Sequence, residues 1–223
     1  MLPKVIHYCW FGGNPLPELA IKCIESWGKY FPDYEIIEWN ENNYDVHKIP
    51  YISQAYNAKK YAFVSDFARF DILYKHGGLY FDTDVEVIKS MDKIIEQGAF
   101  AGVEVPGKVA AGLGLASPAA SPIYKEILDS YKKSSFIKEN GQNDLTTVVT
   151  RVSDIFKKYG FTLQYMLEYM SVYLRSVTMN SSWKKVVTVI ASLLCVMIVC
   201  LAINVSVDKI TGNILYPAAE LSY

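Results

Sequence analysis

The chain has 223 residues, with 22 Lys and Arg against 23 Asp and Glu and a formal net charge of −1. That balance excludes a protein whose main task is neutralising nucleic-acid phosphates. Hydrophobic residues at 51% and aromatics at 14% exclude disorder as a description of the whole chain. The length suits one domain, or at most two. Charge is unevenly spread: residues 165–223 hold only 4 of the basic and 3 of the acidic residues. The composition therefore predicts two joined parts.

From the N-terminus, Lys4 to Trp10 alternates and predicts a first buried strand. Met1-Leu2-Pro3-Lys4 leads straight into it, with none of the apolar run expected of a secretory signal. Phe11-Gly12-Gly13-Asn14-Pro15 turns the chain, and Pro17 to Tyr30 has helical spacing with a proline near its first turn. Tyr34 to Trp39 predicts a second strand and Asn40 to Pro50 a polar loop. Helical spacing resumes near Ile52 and runs, with room for a break, to His76, where Gly77-Gly78 stops it. Leu79-Tyr80-Phe81 predicts a short third strand ending in Asp82-Thr83-Asp84. Val85 to Ile88 and Ala99 to Val103 predict further strands, and Met91 to Gln97 a helix. Ser121–Lys133 and Asn143–Tyr159 predict amphipathic helices. Strands alternating with helices imply an α/β sandwich with a mostly parallel sheet.

Val186 to Val207 contains no Asp, Glu, Lys or Arg. As a helix it would span roughly 33 Å, against about 30 Å of bilayer hydrocarbon. Trp183, Lys184 and Lys185 flank it as an interfacial anchor and basic border, which predicts a membrane span with the N-terminal part on the cytoplasmic side. A buried core helix or strand pair is the other reading. The expected division is a domain over 1–164, a helical connector over 165–185, the span over 186–207 and a short tail over 208–223. Cys9, Cys23, Cys195 and Cys200 have neither zinc-site nor disulfide-framework spacing and read as buried thiols.

The chemistry concentrates in Gly77 to Asp84. Two carboxylates one residue apart, Asp82 and Asp84, at the carboxyl end of a strand in an α/β sheet can gather a hard divalent cation completed by phosphate oxygens. A solvated acidic turn is the plainer reading. On the preceding helix Asp66 and Arg69, three apart, share a face. They suit either a local ion pair or hydrogen bonds to sugar hydroxyls. Trp10, at the end of the first strand beside Gly12 and Gly13, is either a base-stacking platform or a core tryptophan. His7 reads as a core histidine, His76 as a helix-terminal one, and His47 needs no role.

The segments Ile6–Gly13, Ser65–Tyr74 and Gly77–Val85, in that order, resemble glycosyltransferase family 32, whose sugar-binding region contains a DXD motif and which includes bacterial capsular-polysaccharide transferases. The resemblance spans about residues 1–160. It implies a GT-A, Rossmann-like fold, a nucleotide-sugar donor, Mn²⁺ or Mg²⁺, retention of anomeric configuration, and a saccharide acceptor that could be lipid-linked at the cytoplasmic membrane face. By motif match Trp10 would stack on the base, Asp66 and Arg69 would hold the donor sugar, and Tyr80 would line the nucleotide pocket. Asp82 would face ribose and metal, and Asp84 would ligate the metal. No second carboxylate suits the covalent nucleophile of retaining glycosidases, so the implied chemistry is front-face substitution. The chain departs from the family in having no histidine after His76, where a late histidine often meets the donor phosphates. The glycine- and alanine-rich stretch Ala110–Ala120 is expected to form an acceptor-side loop. Two other functions fit less of the pattern: a non-catalytic, degenerate transferase domain that binds nucleotide or a partner, and a phosphatase with a DxD nucleophile. The phosphatase motif normally has Thr or Val where Glu86 stands.

Overall fold

The computed structural model describes residues 2–105, 108–159 and 174–176. The chain divides into two units, Met1–Val177 and Thr178–Tyr223. The second unit, with the expected apolar helix over 186–207, lies outside the described residues. Among those described, no helix is long and apolar enough to cross a membrane.

The first half follows the predicted order: β1 (Val5–Cys9), α1 (Glu18–Tyr30), β2 (Glu35–Trp39), α2 (Pro50–Asn57), α3 (Tyr61–His76), β3 (Gly78–Tyr80) and β4 (Val85–Val87). The expected helix from Ile52 to His76 breaks where Lys59 turns to φ 55°, which separates α2 from α3. Gly77 and Gly78 have φ of 66° and 100°, and a Cβ on Gly78 would stand 2.6 Å from the Val5 carbonyl. The pair thus lets helix α3 reverse directly into a strand lying against β1. The second half adds α4 (Asp92–Ile95), β5 (Phe100–Ala101), β6 (Val103–Val105), β7 (Lys108–Val109), β8 (Leu115–Ser117), α5 (Pro122–Lys132), α6 (Val148–Lys158) and β9 (Leu174–Ser176).

The main sheet has the order β2-β1-β3-β8-β5. Strands β2, β1 and β3 are parallel, whereas β8 is antiparallel to both β3 and β5. Strand β5 therefore runs with β2, β1 and β3, so the sheet is mostly parallel in direction, as expected, and is mixed through β8 alone. A parallel return needs a crossover of a dozen or more residues, usually helical. Between β5 and β8 the chain instead spends its length on the small β6–β7 hairpin.

Ala110–Ala120, expected as an acceptor-side loop, supplies the interior strand β8. Residues 174–176, expected inside a helical connector, pair antiparallel with β4 instead, which satisfies backbone groups that would otherwise form a bare edge. Helix α6 begins five residues later than expected. Asp144 accepts from the Thr146 amide and hydroxyl, which holds a turn, and Thr147 then caps the helix through the Thr150 amide.

Each face of the sheet carries an apolar core. On one, Tyr51, Phe67, Phe70, Tyr124, Tyr131 and Phe156 join α2, α3, α5 and α6. On the other, Trp27, Phe31, Phe81 and Met91 pack α1 against the sheet and β4. Helix α3 is buried along most of its length from Val64 to Leu73, so Arg69 and Asp71 are carried into the interior with it.

Candidate active site

Strands β1 and β3 run side by side, with His7 opposite Tyr80 and the Phe81 amide donating to the His7 carbonyl. They leave the sheet at the same carboxyl edge, where β1 opens into Trp10–Gly13 and β3 into Asp82–Asp84. Helix α3 crosses beneath this edge and projects Asp66 and Arg69 toward it. Such an edge is where α/β sheets receive ligands.

Arg69 organises the site. Its side chain is 4% exposed. Nη2 donates to Asp66 Oδ1 at 2.9 Å, Nη1 donates to Asp82 Oδ2 at 3.1 Å, and Nε donates to the Ser65 carbonyl at 3.1 Å. The guanidinium also stands 5.0 Å from the Tyr80 ring centre. Tyr80 is fully buried, and its hydroxyl donates to Asp82 Oδ1 at 2.9 Å. One cation thus serves two carboxylates, and the network holds an excess of negative charge. Burial raises the Asp66 carboxyl to about 6, with Arg69 opposing that rise and Asp82 adding to it. Burial likewise pushes the Cys9 thiol, beneath the network, up to about 12, which makes it an inert core group.

Asp82, Asp66, Arg69 and Tyr80 therefore meet as one cluster, although the extremes, Asp66 and Asp82, are 16 positions apart. Asp84 is half-buried in the turn that the Val85 amide closes on the Asp82 carbonyl, at the same edge. Tyr80 lies under Asp82 as its support. Trp10 is half-buried against the α1-side core, its indole N–H donating to the Asn14 carbonyl at 2.6 Å. His7 is a core histidine as expected. Its Nδ1 accepts from the Trp39 indole and its Nε2 meets the Gly77 carbonyl, and burial lowers its pKa to about 4.

Sequence reasoning missed two neighbours. Glu41, just past β2, accepts the Gly12 amide at 2.6 Å and so ties the β1 turn to the β2 end. Gly112 lies against Asp82: its carbonyl accepts the Asp82 amide at 2.9 Å. Nothing in the local pattern marks a glycine in a small-residue run as a site neighbour, whereas a carboxylate directly following a strand end was a usable signal.

Among the described residues no three His, Cys, Asp or Glu side chains are grouped to cage a metal. The donor set still suits a divalent cation. Asp82 and Asp84 are hard oxygen ligands beside an acid-rich network, and a Mg²⁺-type site normally takes one or two carboxylates and completes its shell with substrate phosphates.

Comparison with known proteins bears on the fold and on the segment that holds these residues. Residues 17–101 match the family model of the glycosyltransferase sugar-binding region containing the DXD motif, a span that includes Asp66, Arg69, Tyr80, Asp82 and Asp84. Inositol phosphoceramide mannosyltransferase 3 of Schizosaccharomyces pombe is 31% identical over 107 residues, covering 44% of this chain and 29% of that protein. Inositol phosphoceramide mannosyltransferase 1 of the same yeast is 27% identical over 171 residues, covering 72% of this chain and 51% of that protein. The chain thus spans about half or less of these relatives. Among solved structures, the PaToxG glycosyltransferase superposes with a TM-score of 0.51 at 18% identity, over 77% of this chain and 76% of that one, a likeness of fold. The fold is accordingly GT-A-like, with a mixed sheet.

Proposed function

We propose that this chain carries the catalytic region of a nucleotide-sugar-dependent glycosyltransferase, which moves a hexose from a nucleoside diphosphate onto a saccharide acceptor with retention of configuration. The observation that supports it most is the bridging of Asp66 and Asp82 by one buried Arg69 at the carboxyl edge of β1 and β3. Arg69 and Asp66 offer donors and acceptors to sugar hydroxyls, and at neutral pH Asp66 is mostly ionised and so an acceptor. Tyr80 and Arg69 fix the Asp82 carboxylate before any ligand arrives, so little ordering remains to be done on binding. Asp82 and Asp84 would hold Mn²⁺ or Mg²⁺, which would neutralise charge growing on the diphosphate leaving group. Trp10 is assigned to the nucleobase.

The fungal relatives are mannosyltransferases by name, so a mannosyl donor heads the list to test. A lipid-linked saccharide is the proposed acceptor, with the apolar run 186–207 holding the enzyme at a membrane's cytoplasmic face. Polysaccharide synthesis, including a capsule, is the process in which such an acceptor would be extended.

The test is thermal unfolding with a panel of nucleotide sugars and Mn²⁺, followed by release of nucleoside diphosphate. One donor is expected to raise the melting temperature only with metal, since a ligand specific to the native state stabilises it. Asp84→Ala should abolish both the metal-dependent shift and turnover. Stabilisation without any release or transfer would instead identify a non-catalytic nucleotide-binding domain.

A further inference from the structure

We infer that Gly112 is a positioning residue of the donor and cation site, because its lack of a side chain is what allows the Asp82 carboxylate to sit between Arg69 and Tyr80. The proposed function supplies the ligand in this inference; the contact itself stands apart from it. A Cβ built on Gly112 would lie 1.9 Å from Asp82 Oδ2, 2.9 Å from Asp82 Cγ and 3.2 Å from Arg69 Nη1. Non-bonded carbon and oxygen atoms do not approach so closely, so Gly112 and the present Asp82 rotamer exclude any larger residue at this position. Gly112 is not one of the positive-φ glycines, so backbone conformation is not what requires it.

The turn cannot retreat. The Asp82 amide donates to the Gly112 carbonyl at 2.9 Å, the Leu113 amide to the Ala110 carbonyl at 3.0 Å, and the Gly102 amide to the Gly114 carbonyl at 2.6 Å. The Ala110 amide donates in turn to the Gly102 carbonyl at 2.8 Å. Backbone bonds on both sides thus fix Gly112 against the first aspartate of the DXD motif. What can move is the tip of Asp82. A methyl group at position 112 would swing that carboxylate away from Arg69 Nη1 and Tyr80 OH while the surrounding backbone stays in place. The stretch that the family resemblance implies for the acceptor side is therefore, at Gly112, a wall of the donor and cation site.

The test is a double-mutant cycle with Gly112→Ala and Asp82→Ala, read by thermal unfolding and by Mn²⁺-dependent binding of GDP and of UDP. Gly112→Ala alone should weaken Mn²⁺-dependent nucleotide binding by about 10-fold or more, the scale on which residues that orient metal ligands act. Binding without Mn²⁺ should hardly change. In the Asp82→Ala background the same Gly112→Ala change should shift the melting temperature far less, because the two closest atoms, Asp82 Oδ2 and Cγ, are gone and only Arg69 Nη1 at 3.2 Å remains. Gly28→Ala, on α1 with nothing within 4 Å of the added carbon, serves as the control and should leave binding unchanged.

Unaltered Mn²⁺-dependent binding in Gly112→Ala overturns the inference, as does an equal drop in melting temperature in both backgrounds. If Gly112→Ala fails to fold, recovery of folding in the double variant supports the contact and continued failure refutes it. If the wild-type chain binds neither GDP nor UDP with Mn²⁺, the functional reading fails, and the melting temperatures of the cycle still decide the role of Gly112.

Discussion

Helix α3 carries a half-buried aspartate, Asp66, and a buried one, Asp71, five positions apart, and their surroundings are opposite. Asp66 shares a single cation, Arg69, with Asp82. Asp71 has Oδ2 close to two cations, Lys48 Nζ at 2.5 Å and Lys75 Nζ at 3.1 Å, and also accepts from the Tyr44 hydroxyl at 3.0 Å. Burial pushes both carboxyls up. At Asp66 the charges of Arg69 and, to a lesser extent, Arg151 do not offset it, and the group rises to about 6. At Asp71 hydrogen bonds and charge from Lys48 and then Lys75 more than offset it, so the carboxyl lies below its usual range. One helix thus holds a saturated structural carboxylate and one in a cluster short of positive charge. The shortage is what a cation-assisted diphosphate site would make good from outside, in keeping with the donor-site role proposed for Asp66 and Asp82.

The contrast can be broken most forcefully at Arg69. Arg69→Met would leave Asp66 and Asp82 facing each other without their cation, at a cost of about 3–5 kcal/mol in urea unfolding at neutral pH. A loss below about 1 kcal/mol would mean the carboxylates are solvated well enough to need no partner.

A smaller effect of opposite sign is expected at Asp66. Its folded pKa lies above the unfolded one, so the native state keeps the proton to higher pH. Ionisation therefore costs stability above about pH 6, and that cost is relieved as pH falls from about 6 to about 4. Asp66→Asn should accordingly stabilise the free protein on the order of 1–3 kcal/mol at pH 7.5, with the gain fading by pH 4, while impairing donor binding. A gain independent of pH, or a loss, would remove the distinction from Asp71.

An effect of similar size to that at Asp66, but destabilising, belongs to Asp71. Asp71→Ala strands a largely buried lysine and a tyrosine hydroxyl, and should cost about 2 kcal/mol. Because its folded pKa is depressed, its contribution is present above the ordinary carboxylate range and disappears as pH falls through that range and below. Nucleotide binding measured by calorimetry should be unchanged, and a marked loss would show that both ends of α3 serve the site.

Much of this was readable from local pattern. The Lys4–Trp10 alternation, the Gly77-Gly78 stop and the i, i+3 spacing of Asp66 and Arg69 each depend on residues close in sequence, and each appears as β1, the α3 terminus and the Arg69–Asp66 bond. The reverse direction of β8 did not follow, because strand direction depends on what fills the space beyond β3 and not on the composition of Leu115-Ala116-Ser117. Glu41 and Gly112 were equally silent. A glycine's meaning lies in what its missing side chain leaves room for, here the Asp82 carboxylate.

Taken alone, the sequence determined which residue types stand at the carboxyl ends of the first and third strands, and the family pattern to which they conform. Tertiary structure decided which charges meet. Asp66 and Asp71 are the same residue type on one helix, and only the chain folding back upon α3 brings Asp82 to one and Lys48 to the other, where Lys75 already stands one helical turn away. In the interior, charges interact strongly at short range and are costly to leave unpaired, so the neighbours fixed by the fold separate a fully paired carboxylate from one short of positive charge.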